Sequence, residues 1–304
     1  MIYKGNFNEK DKKIIEAGND LFNIIFGPHY KKRRLPKGTK IYVVPHRQLS
    51  YLPWNALSVI EHHDGDNYMV DHYNVSTLPC ATALSKLKGQ RAENEYLVKK
   101  PNSFFIGPNV DSAPDKIRFL NSVGSWNIYT DEKANVRAAL NELQNSETVI
   151  FFTHAIFDIS APNESYIQLA GQTNKSCLSF KDIEKINIGA DFVVLAGCAT
   201  GKVGRYSELG SVSQEEKFLD ADDLLGLYKQ MISKGVKNLV FSAVNETSKD
   251  PTEMFLGDLV EQINNNLSSS EAFGQSVKNL KKHKHYYHPY YWGAYVLVGP
   301  FSKK

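Results

Sequence analysis

"FVVLAGCATGK", residues 192–202, is a run of apolar and β-branched residues that stops at a small-residue turn holding one cysteine. It is too short for a helix and too uniformly apolar for a half-exposed strand, so it reads as a strand buried on both faces. Runs of the same kind recur at "KIYVVP" (40–45), "SFFIG" (103–107), "WNIYT" (126–130), "TVIFFTH" (148–154) and "NLVFSAV" (238–244). Helical spacing fills the intervals at "DKIRFLNSVG" (115–124), "EKANVRAALNELQN" (132–145), "ADDLLGLYKQMISKG" (221–235) and "DPTEMFLGDLVEQINNNL" (250–267). Alternation of this kind predicts an α/β sandwich: a mainly parallel sheet flanked by helices, with right-handed crossovers.

The first hundred residues are less regular. A helix-like "KKIIEAGNDLFNIIF" (12–26) and a basic turn "KKRRLPKGTK" (31–40) come first, then a β-like "MVDHYNVSTLP" (69–79) leads into helical "CATALSKLKG" (80–89). No linker or composition shift divides the chain. One domain over 1–304 is expected, with 1–100 an N-terminal elaboration and 101–304 carrying the chemistry.

Bulk composition excludes several classes. The chain has 304 residues, 42% hydrophobic and 23% charged, and a net charge of +3 that argues for neither nucleic acid nor membrane as partner. No run approaches eighteen apolar residues, and "MIYKGNFNEKDKK" puts charges where a signal peptide needs an apolar core. Cys80, Cys177 and Cys198 are far apart with no C-x-x-C spacing, which indicates a reducing, cytoplasmic setting rather than a disulfide framework.

Two strand ends carry the candidate chemistry. In a parallel α/β sheet, ligands bind outside the carboxyl ends of the strands, and both His154 and Cys198 fall where an apolar run gives out. The 44 residues between them leave room for one crossover unit, so the two strands are expected to be neighbours or nearly so. A thiolate is the reactive form of cysteine, and an adjacent imidazole can take its proton and later return it to a leaving amine. Gly197, Ala199 and Gly201 keep side chains out of a substrate's way, and the N–H groups of Cys198 and Ala155 are candidates for an oxyanion hole. Against this stands the packing alternative, since a lone cysteine at a strand end is often a small buried hydrophobe.

The stretches "IYVVPHRQLSYLPWNAL", "VIFFTHAIFD" with "SYIQLA", "ADFVVLAGCATGKVG", "DLLGLYKQMISKGVKNLVFSAV" and "HPYYWGAYVLVGP" resemble, in that order, the successive motifs of CHAT domains. These are caspase-like cysteine peptidases related to separase and often attached to tetratricopeptide repeats. The resemblance spans about residues 12 to 300. It implies a caspase-hemoglobinase-like three-layer sandwich, a pseudo-caspase-like part within 1–100, and peptide-bond hydrolysis by a dyad that maps onto His154 and Cys198. No cofactor or metal is implied. Two departures stand out: Ala155 replaces the usual glycine after the histidine, and Gly197 stands where Ala is usual before the nucleophile. A glycine-only backbone at 155 would be strained by Ala, and a catalytically silent caspase-like interaction module is the alternative reading. An α/β hydrolase is weaker, because no G-x-S-x-G elbow is present.

The resemblance also suggests what surrounds the dyad. Asp158, Glu208, Asp222 and Glu246 are candidates for facing a basic substrate side chain, against the plainer reading of solvated charges. The expected partners are a protein or peptide substrate and a regulatory or activating protein, with the long polar loop at 203–221 a candidate restraint. The stretch "KKHKHYYHPYY" (281–291) is expected to be a solvated, aromatic-rich loop rather than a metal site, with Trp292 in the core.

Overall fold

A computed structural model describes the protein over residues 9–30, 35–46, 49, 52–59, 68–89, 100–108, 110, 126–156, 166–171, 176–196, 226–242 and 249–301. Along the chain come α1 (Glu9–Tyr30), β1 (Lys40–Val43), α2 (Met69–His72), β2 (Asn74–Thr77), α3 (Ala81–Gly89), β3 (Asn102–Ile106) and β4 (Trp126–Tyr129). Then follow α4 (Val136–Asn145), β5 (Thr148–Phe152), β6 (Ala155–Ile156), β7 (Tyr166–Gln168), β8 (Cys177–Ser179), α5 (Phe180–Glu184) and β9 (Phe192–Ala196). The last part holds α6 (Gly226–Ser233), β10 (Asn238–Ser242), α7 (Lys249–Asn264), α8 (Ser269–Lys282), α9 (Pro289–Trp292) and β11 (Tyr295–Val298).

Eight strands form one sheet in the order β1-β2-β11-β10-β9-β5-β3-β4. All neighbours are parallel except β10 and β11, so the sheet is two parallel blocks joined back to back. The apolar runs behave as their composition requires. β5 and β9 are buried at every position, with Ile150, Phe152, Val194 and Ala196 on one face and Val149, Phe151, Val193 and Leu195 on the other. The first face packs against α7 and α8 through Phe255, Leu259, Phe273 and Val277. Ala139 and Leu143 of α4, with Ile183 and Met231, pack the second. The layers are helix, sheet and helix. The runs at β1 and β4 are only partly buried, because each is an edge strand.

Local signals account for the helix limits. Asn135 caps α4 by accepting the Ala138 N–H at 3.0 Å. α8 opens with a capping box between Ser268 and Glu271. α6 stops at Gly235, whose φ of +124° and close approach to the Ile188 carbonyl admit only glycine.

Two features depart from expectation. α8 and the small antiparallel sheet β6-β7-β8 are not marked by any apolar run, because their burial is spread over short or amphipathic segments. The stretch 281–291 is not a loop throughout: α8 runs to Lys282, and α9 begins at Pro289 with His288 as its cap. Trp292 is fully buried, as expected, and its indole N–H donates to the Tyr287 carbonyl. Helix 115–124, Asp222 and Asp223 lie outside the described residues. Among the described residues, no helix is long and apolar enough to cross a membrane.

Candidate active site

β5 lies between β3 and β9, in register so that Ile106, Phe152 and Ala196 are level. His154 follows Phe152 by two residues, and Cys198 follows Ala196 by two. The strand ends meant to carry the pair are therefore hydrogen-bonded neighbours ending at the same height. Cys198 itself lies outside the described residues, as do Asp158, Glu208, Asp222, Glu246 and the loop 203–221.

His154 is half-buried and sits where the chain leaves the main sheet for the small one. The transfer is fastened by three contacts. The Gly107 N–H donates to the Phe152 carbonyl at 2.9 Å, the Thr153 hydroxyl donates to the Gln168 carbonyl at 2.5 Å, and the Gln168 N–H donates to the His154 carbonyl at 2.8 Å. Thr153 is 3% exposed, so its hydroxyl makes this bond away from competing water. Gly107 must be bare: a Cβ there would lie 1.7 Å from the Thr153 hydroxyl. Sequence reasoning missed Gly107, Thr153 and Gln168, because nothing in "SFFIG", "FFTH" or "YIQ" announces that the three meet.

The same contacts orient Ala155. The Gln168 N–H bond to His154 makes 154 and 168 the bonded positions of the antiparallel ladder, so Ala155, opposite Ile167, is at a non-bonded one. Its N–H points away from β7, and β6 is the edge strand of the small sheet. Among the described non-glycine residues only Asp131 and Asn266 have positive φ. Ala155 therefore occupies an ordinary strand conformation, and the expected strain of alanine in a glycine-only geometry is absent.

The other two cysteines are unlike candidate nucleophiles. Cys80 is exposed, its sulfur 3.2 Å from the Thr82 hydroxyl, and Cys177 on β8 has its thiol pushed up by burial, away from the thiolate. Among the described residues no group of His, Cys, Asp and Glu is placed to hold a metal.

A model of the CHAT domain family matches residues 16–300. The chain belongs to the CHAT domain family, and its fold is the caspase-like α/β sandwich that the motifs implied. Among solved structures it is similar to the separase–securin complex of Saccharomyces cerevisiae, with a TM-score of 0.54 and 18% identity over 85% of this chain. It spans only 15% of the separase-complex chain it matches, and at this identity the likeness is one of fold. A second structure, described only as a protease, aligns over 98% of this chain and 69% of its own, at 9% identity and a TM-score of 0.45. A search of curated proteins gives no significant match.

Proposed function

We propose that this domain is a cysteine endopeptidase that hydrolyses peptide bonds of a protein substrate with His154 and Cys198. The observation that supports it most is the register of β5 and β9, which brings the segments bearing the two residues to one edge of the sheet. Cys198 gives its thiol proton to His154, and its sulfur bonds to the scissile carbonyl carbon. The Ala155 N–H, turned away from β7, and the Cys198 N–H receive the developing oxyanion. His154 then protonates the amine as the C–N bond breaks, and water hydrolyses the thioester to release the acid and restore the thiol. Cys80 and Cys177, neither of them in a disulfide, suit a reducing, cytoplasmic setting. Control by a regulatory protein, or by the loop 203–221, belongs to the same reading.

A peptidyl acyloxymethyl ketone tests it. Covalent modification at Cys198, absent in Cys198→Ala and strongly slowed in His154→Ala, supports the peptidase. Failure to modify Cys198 under any activating condition leaves the silent interaction module.

A further inference from the structure

The antiparallel join between β10 and β11 has a second effect on the sheet. Ser242, at the carboxyl end of β10, faces Tyr295, the first residue of β11. β2 runs parallel to β11, with Thr77 opposite Val298, and β1 runs parallel to β2. The starts of β1 and β2 therefore lie on the same rim as the ends of β5 and β9. At about 4.8 Å per strand, β2 is about 14 Å and β1 about 19 Å along that rim from β9.

Four lysines from two distant parts of the sequence gather there. α7 starts at the rim after β10, and α8 packs beside it and leads through α9 back to the start of β11, which puts the carboxyl end of α8 at the rim. Lys278, Lys281 and Lys282 share a face of that end, at helical spacings of three and four. Lys37 comes from the turn before β1, fastened by the Gly38 N–H to the His72 carbonyl at 2.6 Å and by the Asn74 amide to the Gly38 carbonyl at 3.2 Å. The carboxylate acting on Lys278 among the described residues is Asp71, and Asp71 is already engaged by Lys281 at 2.6 Å and by the Tyr68 N–H at 3.1 Å. Burial first, and then the crowding of Lys37, Lys282 and Lys281, pulls the Lys278 amine below the usual lysine range, against the opposing pull of Asp71. Among the described residues, the charges acting on Lys278 are thus one carboxylate and three further ammonium groups.

We propose that this lysine cluster is a docking site for an acidic segment of the protein substrate. The cluster depends on the peptidase reading only for where the scissile bond lies. An extended chain advances about 3.3 Å per residue, so 14 to 19 Å places the acidic residues about four to six positions from that bond. Carboxylates of the substrate answer the excess of positive charge around Lys278 among the described residues. A nucleic acid suits the site less well, because the neighbouring rings are already stacked: Tyr286 lies on His283 at 4.8 Å and 17° and meets Tyr291 edge-on.

Fluorescence anisotropy on the full chain tests the site, with a labelled peptide carrying four consecutive glutamates and a glutamine version as control. The glutamate peptide binds, the glutamine peptide does not, and added salt weakens the complex. Lys37→Glu with Lys282→Glu, both exposed positions, lowers affinity about tenfold or more while the thermal midpoint stays that of the wild type. His154→Ala binds as the wild type does, which separates docking from chemistry. Equal affinity of the charge-reversed protein overturns the proposal. So does tighter binding of an oligothymidylate of equal charge that the same variant abolishes. In a second arm, an electrophile with glutamates about five residues away modifies Cys198 faster than its glutamine counterpart, and the advantage vanishes in the double variant. An advantage that persists there overturns the proposal, whereas intact docking with no modification by either probe supports the docking site and sinks the peptidase reading.

Discussion

Five strands of the sheet run one way and three the other, and the two blocks are built differently. In the block β4-β3-β5-β9-β10 the central strands β5 and β9 are buried at every position and are bound on both sides by parallel partners. In the block β11-β2-β1 the strands come from opposite ends of the chain, and β11 meets β2 at a single paired position. Polar contacts also tie the second block: Tyr42 accepts the Phe301 N–H, Ser76 donates to the Gly299 carbonyl, and Lys281 reaches Asp71. A block whose central strands are buried throughout suits the close placing that the proposed pair His154 and Cys198 needs. The second block, tied by charge and hydroxyl contacts, suits recognition at the same rim.

The largest expected effect tests the chemistry assigned to the five-strand block. His154→Ala should slow modification of Cys198 by roughly 10²- to 10⁴-fold, read by peptide mass spectrometry, and Cys198→Ala should abolish it. A His154→Ala rate equal to the wild type would detach the histidine from the reaction.

Next comes the tie that holds the three-strand block. Lys281 and Asp71 have side chains only 10% and 9% exposed, so Lys281→Ala takes the ion-pair partner from a nearly buried carboxylate that keeps only the Tyr68 N–H and the field of Lys278, at a cost of about 2–3 kcal/mol. Hydrogen exchange should show β1 and β2 losing protection while β5 and β9 keep theirs. Uniform loss across the sheet would mean that the blocks unfold as one.

Gly107→Ala probes the opposite block at the histidine. The added methyl meets the Thr153 hydroxyl, and the overpacking should cost about 1–3 kcal/mol and lower the labelling rate without touching exchange in β1 and β2. Thr153→Val is smaller, about 1–2 kcal/mol, because it removes one donor from the Gln168 carbonyl; Thr153→Ser should restore the rate. A valine variant that labels at the wild-type rate would reduce the lock to packing.

The smallest effect concerns acid. Glu142 on α4 is 5% exposed; burial pushes its carboxyl upward, but bonds from Ser103, Ser146, Tyr129 and Asn141 outweigh that and hold it below the usual range. Tyr129 is raised to about 12 by burial and by the same carboxylate. A depressed carboxylate stabilises fully above its unfolded pKa and loses that contribution as pH falls through the folded one. Thermal midpoints of the wild type should therefore fall below the ordinary glutamate range, and Glu142→Gln should flatten that part of the curve.

Much of the five-strand block was legible because a strand buried on both faces must be apolar throughout: "TVIFF" and "FVVLA" could hardly be anything else. That they are neighbours or nearly so was legible from the 44 residues between His154 and Cys198, which leave room for one crossover unit. The locking trio was not, since Gly107, Thr153 and Gln168 are ordinary residue types whose meeting depends on how β3, β5 and β7 stack. Nor was the lysine cluster. "KKHKHYYHPYY" and the turn at Lys37 each look like solvated charge until the sheet folds them together.

By itself the sequence determined the layers, the central buried strands and the family, because apolar period and motif order are local properties of the chain. Tertiary structure decided which way the outer strands run, and hence that residues 37 and 278, 241 apart, share a rim with His154. The physical reason is that strand direction and long-range charge proximity are set by pairing across the whole sheet, where no short stretch of residues carries the information.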